Sequence, residues 1–124
     1  LTLSENRKRI KKEKTPKIFK KTISSRILKE LPFKLTKSQE SVLNEINLDL
    51  KNSKRMFRIL QGDVGSGKTI VSFLTIANVL ESSYQCALMS PTEILSLQHY
   101  NLAQKIFKKI NIRIEFLTGK TLVW

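Results

Sequence analysis

The chain is poor in the residues that cross-link or punctuate a polypeptide. It has a single cysteine, Cys86, so no internal disulfide can form and nothing points to an oxidising compartment. It has a single histidine, His99, with no cysteine or carboxylate cluster beside it, which leaves a surface or packing role as the default. No apolar run approaches the roughly 18–20 residues needed to cross a bilayer. The opening LTLSENRKRIKKEK lacks the apolar stretch of a secretory signal. Acidic residues are scarce as well. The expectation is a soluble, cytoplasmic protein without a membrane partner, and its 124 residues leave room for one domain.

What is abundant is positive charge. Twenty-three Lys and Arg stand against ten Asp and Glu, a formal net charge of +13. Residues 1–34 hold twelve of those cations and three Glu, so most of the surplus lies at one end. Such a block attracts polyanions by releasing condensed counterions. It is equally the composition of a solvated, lysine-rich linker.

Residues 1–17 read as a mobile basic arm closed by Thr15-Pro16. From Ile18 to Leu31 the apolar positions recur at helical spacing, and Pro32 disfavours helical geometry in the residue before it. Thr36 followed by Gln39 has the form of a capping box, and Val42, Leu43, Ile46 and Leu50 give the next helix its apolar face until Asn52-Ser53. The period then shortens. Met56–Gln61 reads as a strand, Thr69–Leu80 as a helix, Cys86–Ser90 as a buried strand with Cys86 inert within it, Ile94–Ile110 as a helix capped by Thr92, and Ile112–Leu117 as a third strand. Alternation of this kind predicts βαβ units, an α/β fold with a parallel sheet, and right-handed crossovers.

Three of only four glycines fall within Gly62-Asp63-Val64-Gly65-Ser66-Gly67-Lys68-Thr69, which meets the phosphate-loop pattern G-x-x-x-x-G-K-[ST] in full. Glycines allow strained turns and let backbone N–H groups approach phosphate oxygens without an intervening Cβ. The loop opens into a helix, whose N-terminus adds unpaired donors and partial positive charge. Lys68 has the reach for the β- and γ-phosphates, and the Thr69 hydroxyl suits a Mg²⁺ ligand. The expected ligands are ATP and Mg²⁺, with Lys68 and Thr69 as the catalytic positions. Asp63 precedes the phosphates and does not suit a catalytic carboxylate.

Four stretches together are similar to one family. Leu31–Gln39, Leu60–Thr69, Ala87–Leu95 and Gln98-His99-Tyr100 resemble, in order and spacing, the RecG branched-DNA helicases of superfamily two, over about residues 26–119. The transcription–repair coupling translocase shares the Gly-Asp-Val-Gly loop, but Pro91-Thr92-Glu93-Ile94-Leu95 looks more like RecG. The resemblance implies a partial RecA-like P-loop NTPase domain, a parallel sheet flanked by helices, carried behind a basic helical N-terminal arm. It divides the chain into an arm and linker helix at 1–34 and a truncated ATP-binding lobe at 35–124. It implies that Gln39 is the adenine-reading glutamine, an amide whose donor and acceptor fit the N6/N7 edge, although Gln39 also completes the capping box. It implies that Phe33 lies against the base, where the residues alone equally permit a core position. Pro91 and Thr92 resemble a motif that holds the DNA backbone, with a plain N-cap as the alternative, and Thr118-Gly119 resembles the next DNA-contacting turn.

The resemblance also implies an ATP-driven translocase acting as a monomer on branched or single-stranded DNA in recombination and repair. Such enzymes need an Asp-Glu box and an arginine from a second lobe. The carboxylates after the phosphate loop here are Glu81, Glu93 and Glu115, none in such a pair. The chain opens on Leu1 rather than Met, so a fragment is expected, with negligible turnover by itself. The competing readings are a non-catalytic basic nucleic-acid-binding fragment or truncated-gene relic, and a small phosphate-loop kinase, which the absence of acceptor-site carboxylates and the presence of Pro91-Thr92 disfavour.

Overall fold

The computed structural model describes residues 1–5, 13–63 and 67–120, with the elements β1 (Thr2–Glu5), α1 (Thr22–Glu30), α2 (Lys37–Lys51), β2 (Arg58–Gln61), α3 (Lys68–Glu81) and α4 (Glu93–Ile106). The phosphate-loop positions Val64, Gly65 and Ser66, and residues 6–12 of the basic arm, lie outside the described residues. The chain divides into two compact units, Leu1–Cys86 and Ala87–Trp124.

In the first unit, α1 and α2 pack against α3, and β1 pairs with β2. The core is Phe19 and Ile27 from the α1 region, Val42, Leu43, Ile46 and Leu50 from α2, and Ile70, Val71, Phe73, Leu74, Ala77 and Val79 from α3. The spacing of the α2 residues is the helical stripe read from the sequence, and all four are buried. The start of α2 is a complete capping box: Gln39 N–H donates to Thr36 Oγ1 at 3.1 Å, and Thr36 N–H donates to Gln39 Oε1 at 2.9 Å. α2 and α3 are also joined in the core, where Asn78 Nδ2 donates to Asn47 Oδ1 at 2.8 Å.

The beginning of α1 differs from the helix expected from Ile18. It starts at Thr22, after Lys21 in the left-handed region with φ 61°, and no side chain of its own caps it. The cap comes from the far end of α3. Glu81 Oε1 accepts the Ile23 N–H at 3.0 Å, and Glu81 Oε2 accepts the Lys20 N–H. A carboxylate at a helix N-terminus satisfies orphan donors and opposes the helix dipole favourably.

The described part of the arm is not free. β1 pairs antiparallel with β2 in the register Thr2↔Gln61, Leu3↔Leu60, Ser4↔Ile59 and Glu5↔Arg58. Lys14 Nζ donates to the Leu50 carbonyl at 2.9 Å and to the Asn52 carbonyl, and Lys17 N–H donates to the Leu50 carbonyl at 2.9 Å. Residues 14–17 therefore seal the C-terminal carbonyls of α2.

The parallel sheet expected from the strand–helix alternation is not found among the described residues. The sheet there is the two-stranded antiparallel pair β1–β2. Residues 84–90 and 111–118 carry no ladder pairing, so neither Cys86–Ser90 nor Ile112–Leu117 is a strand. Exposure alternates along 111–118 as in an extended chain, yet a strand also needs a neighbour to accept its backbone hydrogen bonds. For the same reason Cys86 is exposed and not in a core.

In the second unit, α4 ends at Ile106, short of the expected Ile110. Thr92 caps its start, with Oγ1 accepting the Leu95 N–H at 3.2 Å. The Tyr100 and Phe116 rings stack with centroids 5.3 Å apart.

Candidate functional site

The backbone at position 67 calls for glycine, and a side chain there would also push the Gln39 amide aside. Gly67 is the N-cap residue of α3 with φ 83°, a conformation that residues with a Cβ rarely take. A Cβ there would also fall 1.9 Å from Gln39 Nε2. The neighbour that a Cβ would meet is the glutamine singled out from sequence, which is buried and donates from Nε2 toward the Gly67 carbonyl at 3.5 Å. This is a long contact at the limit of hydrogen-bond range. Gln39 thus serves the capping box through Oε1 and N–H, while its amine side faces the exit of the phosphate loop.

Lys68, the first residue of α3, returns its Nζ to the Gly62 carbonyl at 2.8 Å, spanning the loop from exit to entry. Gly62 and Asp63 are exposed, and Thr69 is half-buried in the first turn of α3. The fit to a triphosphate follows from these features. An ammonium held by a neutral carbonyl is offered a stronger, charge-assisted partner by a phosphate oxygen. The N–H groups of the first turn of a fourteen-residue helix face the same end. Thr69 supplies a hydroxyl beside them for Mg²⁺.

Phe33 lies between α1 and α2 and is 51% exposed, so it is not a core plug. Within the second unit, the two segments expected to contact DNA come near one another. Pro91 is exposed, Thr92 caps α4, and Lys120 Nζ stands 3.9 Å from Glu93 Oε2 in the first turn of that helix. Thr118 Oγ1 accepts the Lys120 N–H at 3.3 Å, and nothing lies within 4 Å of a Cβ built on Gly119. An open turn beside a capped helix N-terminus suits a phosphate backbone.

The sequence reading missed three groups that shape the site. Arg58, at the start of β2, forms a two-pronged pair with Asp49 of α2, with Nε to Oδ2 at 2.6 Å and the second guanidinium nitrogen to Oδ1 at 3.0 Å. Glu81 and Lys14 close helix ends from a distance. No motif announces any of them; the available signal is a lone carboxylate late in a helix and a lone arginine opening the strand that leads into the loop. Although Cys86 is exposed, desolvation by neighbouring atoms pushes its thiol up against the opposing pull of Lys17, which disfavours a thiolate nucleophile.

Residues 36–123 match the DEAD/DEAH box helicase family. The chain is 46% identical over 120 residues to the ATP-dependent DNA helicase RecG of Aquifex aeolicus, covering 96% of this chain and 15% of that protein. It is 44% identical over 106 residues to the RecG helicase of Thermotoga maritima, covering 86% of this chain and 14% of the relative. The solved structure of RecG bound to a three-way DNA junction matches 81% of this chain and 14% of its own, with a TM-score of 0.76 at 44% identity. The chain therefore spans only 14–15% of the length of these relatives. Family and structural likeness together imply a RecA-like P-loop fold. The chain belongs to the DEAD/DEAH box helicase family, on its RecG branch.

Proposed function

We propose that this chain is the ATP-binding portion of the first motor lobe of a DNA helicase or translocase that remodels branched DNA in recombination and repair, with negligible turnover by itself. The observation that carries the reading is the joint at Gly67, where a glycine favoured by its positive φ meets the Gln39 amide, next to a lysine that spans the loop. In this reading Gly62 through Thr69 cradle the phosphates, Lys68 neutralises β- and γ-phosphate charge, and Thr69 ligates Mg²⁺. Gln39 reads the adenine edge and Phe33 lies against the base. Bound Mg²⁺ would supply further neutralisation of phosphate charge.

Residues 1–34 form the arm and linker in this reading, and 35–124 the ATP-binding lobe, in which α/β elements continue toward a parallel sheet. Pro91, Thr92, Thr118 and Gly119 hold the DNA backbone. The protein acts as a cytoplasmic monomer. Low turnover is supported by the three carboxylates that follow the loop, since each has another engagement. Glu81 caps α1, Glu115 pairs with Arg113 at 2.7 Å, and Glu93 lies near Lys120.

A non-catalytic basic nucleic-acid binder is the second reading, motivated by the cations of residues 1–34. Some of those cations are already engaged, among them Lys14 on α2 carbonyls and Lys17 over the Tyr84 ring at 4.6 Å. The test measures fluorescent Mg·ATP and a labelled three-way DNA junction on the same protein and on Lys68→Ala. The proposal expects nucleotide binding to be lost in the variant, junction binding to change by less than about twofold, and junction affinity to fall steeply with salt. Wild-type protein that binds the junction but no nucleotide would favour the second reading.

A further inference from the structure

Helix α2 touches the exit of the phosphate loop at one end and the start of the strand that leads into the loop at the other. Near its start, Gln39 reaches the Gly67 carbonyl at the loop exit. Near its end, ten residues on and about 15 Å along the axis, Asp49 grips Arg58, which opens the strand running into Gly62. Between them Asn47 holds Asn78 of α3. The loop exit and the first residue of the strand that leads into the loop are therefore both tied to one helix.

The Asp49–Arg58 pair is built to transmit position. Two parallel N–H···O contacts fix the guanidinium in orientation as well as distance. The side chains are 18% and 21% exposed, so the pair is shielded more than an ordinary surface ion pair and holds its geometry better. Lys14 and Lys17 seal the carbonyls at the end of the same helix, which keeps its last turn from fraying. Asn78 Oδ1 is buried without a hydrogen-bond partner, so the polar Asn47–Asn78 contact between α2 and α3 is a single bond, and the ion pair adds a second polar tie at the other end of α2.

We infer that Asp49 and Arg58 are positioning residues for purine selection at the nucleotide site: α2 is a splint packed on α3 that sets the Gln39 amide against the exit of the phosphate loop, and the ion pair ties the other end of the splint to the start of β2. The inference rests on the nucleotide reading above. Neither residue touches the ligand. A shift of α2 on α3, once its tie to β2 is cut, displaces the amide from the adenine edge while leaving Lys68 and Thr69, which belong to α3, with the phosphates. Loss of the pair therefore costs base discrimination more than phosphate affinity.

The experiment titrates the whole chain with Mg·ATP and Mg·GTP, for wild type, Asp49→Asn, Arg58→Lys and the Asp49→Asn/Arg58→Gln double variant, with far-UV circular dichroism as a control. The expected result is about a tenfold loss of ATP affinity in each single variant, equivalent to about 1.4 kcal/mol. GTP affinity changes by less than about twofold, so the ATP/GTP ratio collapses. The double variant is no worse than the singles, because the two residues act as one unit. Arg58→Lys keeps the charge, and so reports on positioning even if Asp49→Asn unfolds the protein. Equal losses for ATP and GTP, or an unchanged ratio, would overturn the inference by reducing the pair to a fold stabiliser. Amide hydrogen exchange of the ligand-free protein separates the two levels of the argument. Faster exchange at residues 36–40 and 67–70 in Asp49→Asn supports the splint even if wild type binds neither nucleotide, an outcome that would count against the nucleotide reading. Acceleration confined to residues 49–58 overturns the splint.

Discussion

Residues 1–86 and residues 87–120 are both rich in Ile and Leu, yet only the first unit buries them. In α3, Val71, Leu74 and Ala77 are inaccessible to solvent, and Phe73 nearly so. Of the fourteen residues of α4, only Ala103 is buried, while Ile94 is 72% exposed and Leu95, Leu97 and Leu102 are exposed too. The difference lies in how each helix is surrounded. α3 has α1 and α2 against it, and its ends are tied by Gly67–Gln39 and by Glu81. α4 is apolar around more of its circumference than the second unit covers, and a helix apolar on several sides is written for neighbours on several sides. The candidate nucleotide site sits on the well-packed unit, so it is the part with the stiffness to hold a ligand.

The strongest way to break this comparison is to hollow the first unit. Phe73→Ala removes a buried ring from α3 and is expected to destabilise the protein by about 3–5 kcal/mol, read from urea unfolding. A loss below about 1 kcal/mol would mean that the two units are equally loose. An intermediate effect comes from pH. Burial alone would raise the Glu81 carboxyl, but the backbone N–H groups of Ile23, Lys20, Thr22 and Lys21 outweigh it and hold the group below its ordinary value near 4.5. Because the folded pKa is depressed, the stabilisation is complete above the unfolded value and is lost as pH falls through the folded one. Melting temperatures of wild type and Glu81→Gln should therefore differ at neutral pH and converge in acid, and a gap that persists in acid would contradict the helix-capping role. The smallest effect belongs to the second unit. Ile94→Ser is expected to change unfolding stability by no more than about 0.5 kcal/mol, and a larger loss would show that α4 is covered in solution.

Legibility in the sequence followed the range of the interaction. The capping box at Thr36 and Gln39, the Thr92 cap and the span of α3 were readable because each depends on residues within one helical turn. The start of α1 was not, because its cap is Glu81, some sixty positions away along the chain. The strands expected at Cys86–Ser90 and Ile112–Leu117 failed for a related reason. Apolar runs report a tendency to extend, but a ladder needs a second strand in register, and no described segment provides one to either. Charge and the Thr15-Pro16 break predict a mobile arm, whereas Lys14 is held by helix carbonyls and Thr2–Glu5 by β2. At the candidate site the glycines and Lys68 were legible as a motif. The reasons position 67 favours glycine, its φ of 83° and the Gln39 amide that a Cβ would displace, came only from the fold.

The most direct test of the nucleotide site is calorimetric titration of the purified chain with Mg·ATP, repeated on Lys68→Ala and Gly67→Ala. Saturable binding at one site in wild type, lost in both variants while their far-UV spectra stay helical, is the predicted result. Wild-type binding that survives both substitutions would place the nucleotide elsewhere and contradict the account.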